Sequence, residues 1–163
     1  MTDSFDVYLT ALRGDDLPAK IGACDALLQA DAVPLLIDTL HDADADVRWR
    51  VLVVLGWIGA VQSIPHMINA LTDDEWAVRH SALWSLGMLR HESVVEPLLH
   101  TLHAPDSEEQ VRYVTAMGLV NQEREDVDTL LRADRQDVNE KVSRPSNAAL
   151  INPQFWEGRK TEI

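Results

Sequence analysis

The sequence predicts an all-α fold, an α-solenoid of helical hairpins, on three observations. First, a block recurs: Val33-Pro34-Leu35-Leu36-Ile37 through Leu40, Ile64-Pro65-His66-Met67-Ile68 through Leu71, and Glu96-Pro97-Leu98-Leu99 through Leu102. Each copy leads through an acidic turn into Val47-Arg48, Val78-Arg79 or Val111-Arg112 and then an apolar run. Leu40, Leu71 and Leu102 are spaced 31 and 31, the arginines 31 and 33. Second, the apolar spacing is helical, with Val33, Leu36, Ile37 and Leu40 at i, i+3, i+4 and i+7, and Ile64, Met67, Ile68 and Leu71 likewise. Third, a repeat of this length is one supersecondary unit that cannot bury its own apolar face alone, so successive copies pack together.

The elements follow in order. Residues 5–29 form a divergent first repeat. Phe5, Leu9 and Leu12 make its first helix, Asp15-Asp16 its turn, and Lys20 stands at the arginine position. Ala23, Cys24, Leu27 and Leu28 supply its core. Repeats 32–59, 63–89 and 94–120 come next. Prolines 34, 65 and 97 sit near the start of each first helix, where a missing N–H costs nothing. The turn acids are Asp42, Asp44 and Asp46, then Asp73, Asp74 and Glu75, then Asp106, Glu108 and Glu109. They are placed to cap the second helices, which run from about Asp46 to Ile58, Glu75 to Leu89 and Glu108 to Val120. Gly56 and Gly87 recur at one second-helix position and permit close packing; Val120 stands there in the third repeat. A terminal helix at about 125–141, with Val127, Leu130 and Leu131, closes a repeat domain spanning 1–141. The turn-forming run Ser143-Arg144-Pro145-Ser146-Asn147 and then Asn152-Pro153 predict an irregular tail over 142–163, with Phe155-Trp156 as a cap or docking element.

Composition narrows the function. Of 163 residues, 46% are hydrophobic, enough for one domain with a real core. The net charge is −13, of which −11 lies in residues 1–120. Such a surface repels phosphate backbones and anionic lipid, so neither nucleic acid nor membrane is an expected partner. No apolar run approaches the ~20 residues of a membrane span, and Met1-Thr2-Asp3-Ser4 lacks the basic region of a signal peptide. The single cysteine, Cys24, forms no internal disulfide and lies on the core side. These features predict a cytoplasmic location.

The segments Ala32-Val33-Pro34-Leu35-Leu36, Asp46-Val47-Arg48, Leu55-Gly56-Trp57-Ile58-Gly59, Ile64-Pro65, Ala77-Val78-Arg79 and Leu86-Gly87 resemble the HEAT-like repeats typified by phycobilisome bilin lyases. The resemblance covers roughly residues 32–120. It implies a right-handed α-solenoid whose second helices line a concave side, a repeat shared by scaffolds, adaptors and maturation factors.

In that geometry the positions one, five and nine after each arginine face the concave side. They are Trp49, Val53 and Trp57, then His80, Trp84 and Met88, then Tyr113, Met117 and Asn121. The divergent copy contributes Ile21, Asp25 and Gln29, a more polar end. The core is already supplied by Val47, Val51, Leu52, Val54, Leu55 and Ile58, and by Val78, Ala82, Leu83 and Leu86. A helix apolar all round needs a second partner. The side chains on the concave side read either as further core, as tryptophans and methionines at helical spacing usually do, or as partner-binding residues; the candidates are Trp49, Val53, Trp57, His80, Trp84, Met88, Tyr113 and Met117. The expected partner is another protein with a basic or apolar surface; a homodimer is a further candidate. A bilin lyase-like, tetrapyrrole-handling factor is the enzymatic alternative, and an acidic mimic of nucleic acid is the third reading. The arginines themselves are expected to hydrogen-bond turn carboxylates or carbonyls.

Other chemistry finds no support in the residues, and no cofactor or metal is expected. Asp42-Ala43-Asp44-Ala45-Asp46 opens like a calcium loop, but Val47 and Val53 occupy the places of its glycine and final glutamate. Deoxyhypusine hydroxylase, built of similar repeats, binds iron through His-Glu pairs. Here His80 precedes Ser81, and the one His-Glu pair, His91-Glu92, falls in a connection. No Gly-rich phosphate loop or Gly-x-Ser-x-Gly elbow occurs.

Overall fold

Helices lie where the apolar period places them. The structure, a computed structural model, describes residues 32–134 and 140–151, with Val7, Tyr8, Thr10, Ala11, Asp16, Pro18, Ala19, Gly22, Ala23, Ala26 and Leu27. The helices are α1 (Val33–Thr39), α2 (Ala45–Ile58), α3 (Ile64–Asn69), α4 (Trp76–Met88), α5 (Val95–His103), α6 (Glu109–Val120), α7 (Glu125–Asp134) and α8 (Glu140–Ile151). Short 3-10 turns precede α3 and α5, and another follows α3. Among the described residues there is no strand, and no helix long and apolar enough to cross a membrane. The fold is all-α and of the α-solenoid class, built from paired helices. Ahead of α1, Val7, Tyr8, Thr10 and Ala11 are helical, as are Pro18, Ala19, Gly22, Ala23, Ala26 and Leu27. The other residues named for the divergent repeat (Phe5, Leu9, Leu12, Asp15, Lys20, Ile21, Cys24, Asp25, Leu28 and Gln29) lie outside the described residues, as do Phe155 and Trp156.

The chain divides into two compact units, residues 1–85 and 86–163. In the first, α1 packs on α2. Pro34 and Pro65 stand in the first turns of α1 and α3. Asp44 caps α2, its side chain accepting from Asp46 N at 2.9 Å, and Asp42 accepts from Asp44 N at 2.9 Å. The acids of this turn thus serve the helix start. At the other end Gly59 takes φ +70, and the chain reverses as Gly59 N and Ala60 N donate to Gly56 O and Leu55 O. A side chain in that left-handed conformation costs roughly 1–2 kcal/mol. Close approach falls on Gly56: a Cβ there would lie 2.9 Å from Ser85 Cβ and 3.0 Å from its Cα. Ser85 Oγ also donates to Leu52 O at 2.7 Å.

In the second unit α5 and α8 both pack on α6, and α7 packs on α8. A Cβ on Gly118 would lie 3.0 Å from Gly87 Cα. Gly118 follows Ser85 by 33 residues, the same step that separates Arg112 from Arg79. Burial keeps that register: Val51, Ala82 and Thr115 are buried, as are Leu52, Leu83 and Ala116, and Leu55, Leu86 and Leu119. The two extra residues of the third repeat are therefore taken up before Arg112, in the turn between α5 and α6.

The C-terminal expectation needs correction. A helix, α8, covers Glu140–Ile151, where an irregular tail was expected from residue 142, and α7 ends at Asp134 rather than near 141. Pro145 lies inside α8 and cannot donate to the carbonyl of Lys141. Packing outweighs that loss, because Val142, Pro145, Ser146 and Ala149 are all buried.

Candidate functional site

The arginines that open the second helices act structurally. Arg48 Nη1 donates to Asp42 O and Ala43 O at 2.9 and 3.1 Å. Its other edge clamps Asp73, with Nε to Oδ2 at 3.0 Å and Nη2 to Oδ1 at 2.9 Å. Asp73 belongs to the turn of the following repeat, so one guanidinium ties two turns together. Arg79 Nη1 likewise donates to Asp73 O and Asp74 O, each at 2.8 Å. Arg112 Nε donates to Leu102 O at 3.2 Å and its Nη2 to Ala104 O. The carbonyls lie six and five residues back for Arg48 and Arg79, but ten and eight back for Arg112. The longer third turn accounts for that change. The hydrogen bond from Arg48 is the main cause that holds the Asp73 carboxyl below its usual range, against an opposing effect of burial. The same bond raises Arg48.

The proposed contact residues are placed on second helices. In the first unit Trp49, Val53 and Trp57 follow one another at i, i+4 and i+8 along α2, and His80 and Trp84 along α4. All five are half-buried, whereas Val47, Val51, Leu52, Val54 and Leu55 on α2 are sealed in the core. Trp57 and Trp84 meet edge to face, with centroids 6.2 Å apart and planes at 78°. Trp49 Nε1 donates to Asp46 Oδ1 at 3.1 Å, so its polar atom is satisfied while its ring stays partly open. In the second unit Met88, Tyr113 and Met117 are half-buried too, whereas Asn121 is buried, its Nδ2 donating to Gly87 O at 2.8 Å.

Two further side chains join the first-unit face that the sequence reading had not selected. The Arg50 guanidinium carbon sits 4.8 Å from the centre of the Trp49 ring, while Nη2 pairs with Asp46 Oδ2 at 3.2 Å. Trp76, 43% exposed, stacks on His80 with centroids 4.9 Å apart and planes at 23°. Both follow i, i+4 spacings, Asp46–Arg50 and Trp76–His80, and that signal was available. The face is aromatic, with Arg50 and His80 among its rings. Among the described residues no three His, Cys, Asp or Glu gather as metal ligands.

Paired helices whose second members each open on an arginine bound to the preceding turn define a helical-repeat protein of the α-solenoid class. A family model described as HEAT repeats matches residues 6–86 and again 64–151, and the chain belongs to that family. Solved structures similar to it include these two. The complex of CpcE and CpcF of phycocyanin lyase from Nostoc sp. PCC7120 matches with a TM-score of 0.73 and 22% identity, over 92% of this chain and 99% of that one. Human deoxyhypusine hydroxylase in complex with glycerol matches with a TM-score of 0.62 and 24% identity, over 75% of this chain and 43% of that one. At these identities the likeness is one of fold. No curated protein matches the sequence.

Proposed function

We propose that this protein is a scaffold or adaptor that binds another protein through the aromatic face of α2 and α4. One observation carries the reading: Trp49, Val53, Trp57, His80 and Trp84 all stay half-buried beside a core that is complete without them. Such rings supply large contact area at low entropic cost, and tryptophan is enriched among residues that dominate binding energy. The chain's charge of −13 favours a partner whose rim is basic and speeds its approach. On the second unit Met88, Tyr113 and Met117 are proposed as contact residues in their own right. That the similar CpcE and CpcF were solved as a complex agrees with protein partnership for this kind of repeat. The test is substitution. Trp57→Ala or Trp84→Ala lowers affinity for the partner in a pull-down while the circular dichroism melt stays cooperative; a melt that collapses as for a core truncation overturns the reading.

A second reading is a tetrapyrrole-handling role, supported by fold likeness to a phycocyanin lyase and by an aromatic surface suited to a flat conjugated ligand. Titration with an open-chain tetrapyrrole decides it: a shifted visible absorbance supports it, an unchanged spectrum removes it. The acidic-mimic reading has less support, because Asp42, Asp44 and Asp73 are engaged in capping and pairing.

A further inference from the structure

Arg112 keeps different company from Arg48. Its side chain is 3% exposed, yet only two backbone carbonyls receive its hydrogen bonds. Its Nη1 makes no hydrogen bond, and no carboxylate pairs with it, among the described residues. A guanidinium taken out of water with no counter-charge is a costly arrangement. Beside it lies a cleft of about 280 Å³, lined by Ser107, Glu109, Arg112, Lys141, Arg144 and Pro145. The packing of α8 on α6 brings Lys141 and Arg144 to Arg112, and the i, i+3 spacing puts both on one side of α8. Arg112, Lys141 and Arg144 thus share this lining with Glu109.

We propose that this cleft binds a small, multiply charged oxyanion, a phosphorylated or polycarboxylate small molecule. The planar guanidinium is suited to paired hydrogen bonds from phosphate or carboxylate oxygens, and lysine adds a point charge. The volume sits just below the ~300–1,000 Å³ of pockets for drug-sized ligands, which sets the size class. A nucleic acid carries a charge every ~1.7 Å of its axis and would run on across the acidic surface. A small anion inside the cleft meets the lining cations, because charges beyond ~8 Å are largely screened at physiological salt. The cleft shares no residue with the aromatic face and does not depend on the role proposed for it.

The test is calorimetric titration of the full chain with pyrophosphate and, separately, with citrate at constant ionic strength. The wild type is compared with a Lys141→Gln/Arg144→Gln double variant. Both substituted side chains are exposed but keep contacts of their own, so a melt without anion checks that the double variant is folded, and the Lys141→Gln and Arg144→Gln single variants are titrated in its place if it is not. Binding of either anion, weakened about tenfold or more in the double variant, is the expected result. The tighter of the two identifies the ligand's oxyanion as phosphate or carboxylate. If neither anion binds, or the double variant binds as well as the wild type, the proposal is overturned.

Discussion

Arg48 joins two turns with one side chain, and Asp73 completes the junction. Both side chains are about 15% exposed, so the pair is shielded without being sealed off. Charge-assisted bonds of this kind contribute about 1.5–3 kcal/mol. Asp73→Asn keeps the shape and removes the charge, and it should destabilise the chain by about 2 kcal/mol at pH 7 in a denaturant melt. Because the Asp73 carboxyl is depressed in the folded chain, its contribution is complete above the ordinary carboxylate value of ~3.9 and fades as pH falls through the lower folded value. The difference in Tm between wild type and Asp73→Asn should therefore narrow as the pH is taken from 5 towards 3. The tryptophans behave differently. Trp57→Ala loses an edge-to-face contact and part of its burial, costing about 1–2 kcal/mol of stability, while Leu55→Ala, wholly buried, costs about 2–5. Comparing the two melts separates a surface ring from a core side chain.

At the scale of the element, the second helices approach through small residues. Gly56→Ala forces a Cβ against Ser85, including its backbone, and should lower stability by about 1–3 kcal/mol in a thermal melt although alanine is the better helix former. The same contact explains what could be read in the sequence. Helices α1 to α6 were legible because the apolar period, the prolines and the capping acids agree along the chain. The arginine register was legible too, and burial follows it through the two-residue insertion. Helix α8 was not. Ser143-Arg144-Pro145-Ser146-Asn147 reads locally as a turn, and only packing on α6 overrides that preference. The half-buried residues of α2 and α4 follow an i, i+4, i+8 stripe visible in the sequence, whereas Trp76, one step ahead of His80 on it, was missed because the stripe was counted from each arginine, and Arg50 because it lies beside it. The Arg112 cleft depends on α8, so it could not be foreseen once α8 had been read as a tail.

At the scale of the whole molecule, membership of the HEAT-repeat family accounts for the architecture and leaves function to the surfaces. The chain offers two surfaces of opposite character. One is an aromatic face; the other is a small cleft lined by Arg112, Lys141 and Arg144 with Glu109. The first is proposed for a protein partner and the second for a small anion; because they share no residue, Trp57→Ala should leave the anion titration unchanged and Lys141→Gln/Arg144→Gln should leave partner capture unchanged.

The most direct measurement is a comparative affinity capture from the native host. Wild type and a Trp57→Ala/Trp84→Ala double variant serve as baits, with melting curves recorded on the same preparations. The account predicts a partner retained by the wild type and lost from the folded variant, an affinity change of roughly thirtyfold or more per ring. The same proteins captured equally by both baits would contradict it.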